Sequence, residues 1–361
     1  MTDDSICCDV TSVSSYSKTI TDVEFGYNRD GEDLPQFNIG MFCGENNKLP
    51  IYYNRYNGSL TDKTSLSHVL ANAKSVGING VKLVVDGCFI SPECFKSLKN
   101  FCKCFTAGIP AYLEISQKMI NAHIIDIDRY HDKLPEQEIF CVEQPISIHG
   151  VNGKLMLYFD PHSHAQLCGE LSDRIEQLSA ELSRLKRCPK NSQQRYSKYF
   201  TLKKHGNSDE FDFHVNNGEV DKLRRGKGCF LLFSSDMSAK PEDSLSYYRD
   251  KDADEKLFDQ IKLDMGGGHV RTHIIRTTDG KIFVTFIALA IRSYMLGKLR
   301  KYINLNSTSL KKSLNKLENI IVVHTGGSCR FTKALTRQQK DILAHFNAVA
   351  DIAASLDSCL R

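Results

Sequence analysis

No two cysteines in this chain stand in a Cys-x-x-Cys pair, although there are 13 of them. Cys7-Cys8 and Cys102-x-Cys104 are spaced too closely for an ordinary zinc knuckle. The opening MTDDSICCDV lacks a basic region followed by an apolar core, so no signal peptide is read there. An odd number of thiols without that leader points to free cysteines in a reducing cytoplasm. No apolar run reaches the roughly 20 residues that a membrane span needs. The most apolar one, 282–296, contains Arg292 and is read as a buried helix. Gly266-Gly-Gly268 is not followed by Gly-Lys-Ser/Thr, which excludes a nucleotide-binding P-loop. Net charge is only +4, so a nucleic-acid partner is neither demanded nor excluded. Tryptophan is absent and decides nothing.

What is present is ordinary for a globular chain, with 41% hydrophobic and 25% charged residues in 361. Three strands are expected at 6–12, 37–43 and 49–56, separated by turn-forming residues. A helix over 64–76 stopped by Gly77, a buried strand over 81–85 and a helix entered at Ser91-Pro92 follow. A fifth strand is expected at 111–115. This order fits a ribonuclease-H-like α/β fold, a mixed five-stranded sheet with helices on both faces. Further strands are expected at 149–159 and 227–234, with an amphipathic helix over 165–187 between them. Asp279-Gly280 reads as a turn before a long helix over 281–302. A lysine-rich helix (309–317), a strand (320–323) and a last helix (337–356) close the chain.

The segment YYRDKDADEKLFDQIK, 247–262, reads as one helix. At about 100° per residue, Tyr248, Lys251, Glu255 and Lys262 fall within roughly 60° of arc. One carboxylate then lies between two cations and beside a phenol, next to an apolar arc of Leu257, Phe258 and Ile261. That pattern suits a metal-binding acid flanked by phosphate-binding groups. It equally describes an amphipathic helix with a solvated charged face. Asp9, within the first strand, and Asp86, ending the buried fourth, are the acids that a sheet could add to Glu255.

The same segment resembles the Tyr-x2-Arg-x3-Glu-x6-Lys signature of DDE-type insertion-sequence transposases, in the superfamily named for insertion sequence four. Lys251 stands where that signature has Arg, a point charge in place of a two-pronged donor. CDVTSVSSYS, FGYNRDGEDLPQFNIGMF, LPIYYNRYNGSLTDKTSL, VKLVVDGCF, GKIFVTFIALAIRS and LTRQQKDIL resemble successive family blocks in order. Asp86-Gly-Cys-Phe departs from the family's Asp-Arg-Gly-Phe. The resemblance implies that Asp9, Asp86 and Glu255 hold two Mg²⁺ ions, with Mn²⁺ able to substitute. Tyr248, Lys251 and Lys262 would position DNA phosphates. The implied reaction is metal-dependent cleavage of transposon-end DNA and strand transfer to target DNA. The implied partners are double-stranded DNA and a second copy in a synaptic complex, with no membrane.

In domain terms the resemblance implies the first part of the catalytic core over 1–116 and a β-rich insertion over 117–240. The catalytic helix and completion of the core would occupy 241–304, and a mostly helical segment 305–361. Because Asp9 comes so early, a region that relatives carry ahead of the first acid is expected to be missing. Two alternatives remain: a catalytically silent DNA-binding remnant, and a metallohydrolase built on Asp160, His162 and His164. Lys203, Lys204, Lys222, Arg224, Arg225 and Lys227 are the local basic candidates for DNA contact.

Overall fold

The protein is described from a computed structural model, over residues 5–44, 48–129, 132–135, 137–185, 187, 193–205, 210–250, 258–259, 262, 269–318, 320, 322–325, 328–331 and 335–346. The fold is mixed α/β. It divides into two compact units, residues 1–61 with 252–361, and residues 62–251.

The first unit opens with an antiparallel meander in the order β3-β2-β1: β1 (Ser5–Ser15), β2 (Gln36–Gly44) and β3 (Pro50–Asn57). β1 is buried along nearly its whole length, as a strand covered on both faces must be. Its many hydroxyls are therefore paired internally: Ser12 Oγ donates to Asn38 Oδ1 at 3.1 Å and Ser15 Oγ to the Val270 carbonyl at 3.2 Å. Directly opposed residues share a face, and Asp9 is opposed to Met41, Thr11 to Ile39 and Val13 to Phe37.

The second unit begins with α1 (Asp62–Ser75), which Gly77 ends at φ +91°, a conformation that favours glycine. β4 (Lys82–Val85) and β5 (Cys104–Ile109) pair in parallel around α2 (Pro92–Phe101). Ser91 caps α2 by accepting from the Cys94 N–H, with Pro92 in the first turn as the sequence indicates. The fifth strand thus precedes its expected place: Pro110 ends it, and 111–115 runs into α3 (Glu114–His123). β6 (Phe140–Ile148) and β7 (Val151–Phe159) form a hairpin. His149 and Gly150, at φ 48° and 77°, make its turn. β7 is the strand expected over 149–159, beginning two residues later, and β6 is an additional partner.

α4 (Pro161–Arg184) leads through α5 (Gln193–Ser197) to the two-stranded sheet of β8 (Phe200–Lys204) and β9 (Phe211–Val215). After α6 (Asn217–Arg225), β10 (Cys229–Ser234) inserts antiparallel between β5 and β7, giving the order β4-β5-β10-β7-β6. α7 (Pro241–Asp250) closes the unit.

The chain then returns to the first unit. β11 (His269–Val270) pairs in parallel with the end of β1. Val13, Phe37, Ile39 and Met41 pack with Phe258, Val270, Ile282 and Leu289 in one core. The last two come from α8 (Ile275–Leu305), which includes Asp279 and Gly280. The turn expected there is not formed. The Asp279 carboxylate instead meets Arg55 Nη1 at 2.9 Å, while Arg55 Nε reaches Asp22 at 2.7 Å.

α8 is the long helix expected over 281–302, extended at both ends, but its most apolar stretch is not the buried one expected over 282–296. The helix is long and apolar enough to cross a membrane, and only 28% of its most apolar stretch is buried. α9 (Leu310–Asn315), β12 (Val322–Thr325), β13 (Ser328–Phe331) and α10 (Arg337–Ala344) follow. The expected extension of the last helix beyond 346 lies outside the described residues.

Candidate active site

Of the six residues that the signature and its acids single out, four are described and two, Lys251 and Glu255, lie outside the described residues. Asp9 is half-buried in the middle of β1, where its Oδ1 accepts the Val10 N–H at 2.8 Å. It belongs to the sheet face carrying Thr11 and Val13. Phe258, three residues after Glu255 in the sequence, packs in the core that includes Val13.

Lys262 does not enter an apolar core. Its ammonium lies 2.6 and 2.8 Å from the two carboxylate oxygens of Asp30, and its side chain is 16% exposed. Asp30 sits in the turn after Asn28, whose Oδ1 accepts the Asp30 N–H at 2.8 Å.

In the second unit Asp86 follows β4 and caps a short 3₁₀ turn, Gly87–Phe89. Its Oδ1 accepts the Gly87 N–H at 2.7 Å, and the Tyr248 hydroxyl of α7 lies 3.4 Å from the same oxygen. These two residues are 162 positions apart in the chain. The tyrosine reaches the acid by lying across the backbone of Gly108: a Cβ there would stand 2.3 Å from the tyrosine oxygen. Asp86, Cys88, Gly108, Pro110, Cys229 and Tyr248 help line a cavity of about 320 Å³. Burial disfavours the charged thiolate and pushes Cys229 up to about 12. Gly108 and Asp30 were not foreseen as site residues. A glycine inside an apolar strand is the one signal that could have marked the first.

The Asp160-Pro-His162-Ser-His164 cluster does not come together as a metal site. Asp160 caps α4, accepting the His162 and Ser163 N–H groups at 3.0 and 3.2 Å. His162 Nε2 lies 2.6 Å from Glu138, a hydrogen bond that raises the imidazole pKa. His164 Nδ1 meets the Lys227 carbonyl at 2.8 Å. The three side chains are directed to three separate partners, Asp160 to its own helix N-terminus, His162 to Glu138 and His164 to the Lys227 carbonyl. Among the described residues no group of three or more His, Cys, Asp or Glu is placed to hold a metal. Glu255 is not among them.

The basic candidates are spread over β8, α6 and, for Lys227, the turn that follows α6. Lys203 and Lys204 end β8, while Lys222, Arg224 and Arg225 occupy the last turn of α6, where cations complement the helix dipole. Lys222 is paired with Glu219 at 2.7 Å. Arg224 and Arg225 share a cavity of about 370 Å³ with Asp128 and Asp221, which offset their charge.

No protein-family model matches the chain, and no curated protein matches it. Among solved structures, the cryo-EM structure of a piggyBac transposase synaptic complex with hairpin DNA is similar at a TM-score of 0.40 and 11% identity. The match covers 85% of this chain and 49% of that one, so this chain spans about half the length of that protein.

Proposed function

We propose that this chain is the catalytic region of a DDE-type DNA transposase, cutting transposon-end DNA and joining it to target DNA. The observation that supports it most is the Tyr248–Asp86 contact. Both residues stand in ordered motifs of the sequence, and both line one cavity. Asp9, Asp86 and Glu255 are the proposed metal ligands. Their oxygen donors suit Mg²⁺, which keeps several waters and needs few carboxylates. When bound, two such ions supply charge neutralisation at the attacking and leaving oxygens of phosphoryl transfer.

The chain's own groups do the rest. Asp86 is aimed by the Gly87 N–H and by the Tyr248 hydroxyl. Tyr248, Lys251 and Lys262 are the proposed phosphate-positioning residues. Such contacts fix DNA in register without reading its sequence.

A second reading, DNA binding without cleavage, draws on one observation: Lys262 is held by Asp30. One experiment separates the two. Purified chain is incubated with duplexes carrying candidate element ends, in Mg²⁺, Mn²⁺ or Ca²⁺, and scored for nicking and for binding. The transposase reading expects nicking with Mg²⁺ or Mn²⁺ that is abolished in Asp9→Ala, Asp86→Ala and Glu255→Ala. Binding without nicking would favour the silent form. Full cleavage by any one variant would remove that residue from the site.

A further inference from the structure

α8 carries an apolar stripe on its solvent side. Phe283, Val284, Ile287, Ile291 and Tyr294 are 55%, 66%, 42%, 53% and 50% exposed. The positions 284, 287, 291 and 294 repeat at alternating steps of three and four, the spacing of a helix-pairing seam. The opposite side of the same helix is committed to its own core through Ile282 and Leu289, with Phe286 against Tyr53 at 4.9 Å between ring centroids. The exposed residues between 283 and 297 are all uncharged: Phe283, Val284, Ile287, Ala288, Ile291, Tyr294 and Gly297. Single exposed apolar residues need no explanation, but a contiguous row over about three turns does.

We infer that this stripe is the seam of a homodimer in which α8 pairs antiparallel with α8 of a second copy. The pattern is self-complementary, as a two-fold interface requires. With the axis passing at residue 289, Val284 lies level with Tyr294 and Ile287 with Ile291. Charge favours this direction. Lys298, which lies over the Tyr294 ring at 5.4 Å, comes level with Gly280, between Lys281 and the exposed Asp279, whose opposite charges leave that position near neutral. A parallel pair would instead set Lys298 against Lys298. Two such faces bring together on the order of 1,000 Å² of side-chain surface, near the lower bound for a specific interface. The inference needs no DNA and stands apart from the catalytic reading.

The test is sedimentation of the full chain between about 1 and 100 μM, for wild type and for the double variant Ile287→Asp/Ile291→Asp. The wild type should be dimeric. The variant should raise the dimer dissociation constant by at least about 100-fold, since it sets charges at the centre of an apolar seam. Circular dichroism should be unchanged, and so should melting at concentrations where both chains are monomeric, because both side chains face solvent in the monomer. Where the wild type is dimeric it should melt later than the variant. A photo-crosslinking residue at Ala288 should yield covalent dimer, and the same residue at Lys74 on α1 should not. A wild type that stays monomeric at 100 μM, or a variant as dimeric as wild type, would overturn the inference. Flotation of the wild type with phospholipid vesicles, lost in the variant, would overturn it in favour of a lipid surface.

Discussion

Gly108 and Tyr248 set a test of how closely the candidate site depends on a missing side chain. Gly108→Ala places a methyl group 2.3 Å from the tyrosine oxygen. The tyrosine tip can swing away, so the strand survives while the contact to Asp86 is lost. Gly108→Ala and Tyr248→Phe should each lower Mg²⁺-dependent nicking by about tenfold, roughly 1.4 kcal/mol of barrier. Combining them should add little, because both remove one contact. Additive losses would show that Gly108 acts elsewhere. Cys229, in the same cavity, gives a check by a different chemistry. With its thiol pushed up to about 12, it holds its proton at pH 8, and alkylation proceeds through the thiolate. Peptide mapping after iodoacetamide treatment at pH 8 should find Cys229 labelled on the order of 10³-fold more slowly than a free cysteine. Rapid labelling would mean that the pocket opens. Asp86 and Tyr248 were singled out as candidates by the motifs they sit in. Gly108 was not, because its role is set by a side chain 140 positions away that only the fold brings near.

At the scale of elements, the sequence spoke clearly where signals are local. β1 to β4 and the capped entry to α2 carry their own apolar runs, turn residues and caps. It failed where neighbours decide. The His149-Gly150 turn needs two positive φ values, and histidine is a weak advertisement for one. Asp279-Gly280 looks like a turn by composition, yet α8 runs through it while Asp279 anchors Arg55. That leaves Gly280 as a helix-interior glycine with open space where a Cβ would go. Gly280→Ala should therefore stabilise the protein by about 0.5–1 kcal/mol, seen as a rise in melting temperature. A fall would mean that the helix is interrupted there. The turn carrying Asp30 makes a second prediction. Its carboxylate occupies the Lys262 ammonium as a phosphate would. Asp30→Asn should tighten DNA binding by about 3–10-fold, and Lys262→Ala should weaken it and lower the salt slope by about one. If Asp30→Asn binds DNA less well than wild type, the turn supports the DNA surface and does not compete for it.

Over the whole molecule, the stretch expected to hold a β-rich insertion, 117–240, is legible only in part: β7 and β10 lie where strands are expected, whereas β6, β8 and β9 carry no signal that singles them out. β10 pairs with β5 and β7, partners 70 or more residues away, and no local pattern encodes such a pairing. The three acids are equally dispersed along the chain, and their proposed common role has a thermodynamic consequence. A cation that binds the folded chain and not the unfolded one stabilises it by RT ln(1 + [L]/Kd), about 2.7 kcal/mol at a hundredfold excess over Kd. Millimolar Mn²⁺ or Mg²⁺ should thus raise the melting temperature of wild type, and chelation should reverse the rise. Asp9→Ala, Asp86→Ala and Glu255→Ala should each lose most of the shift. They should melt in chelator no lower than wild type, because removing one acid relieves repulsion among the others. Calcium should shift the melt without permitting cleavage, which separates metal binding from chemistry. An equal metal shift in wild type and all three variants would place the ion elsewhere and leave the acids with no shared site.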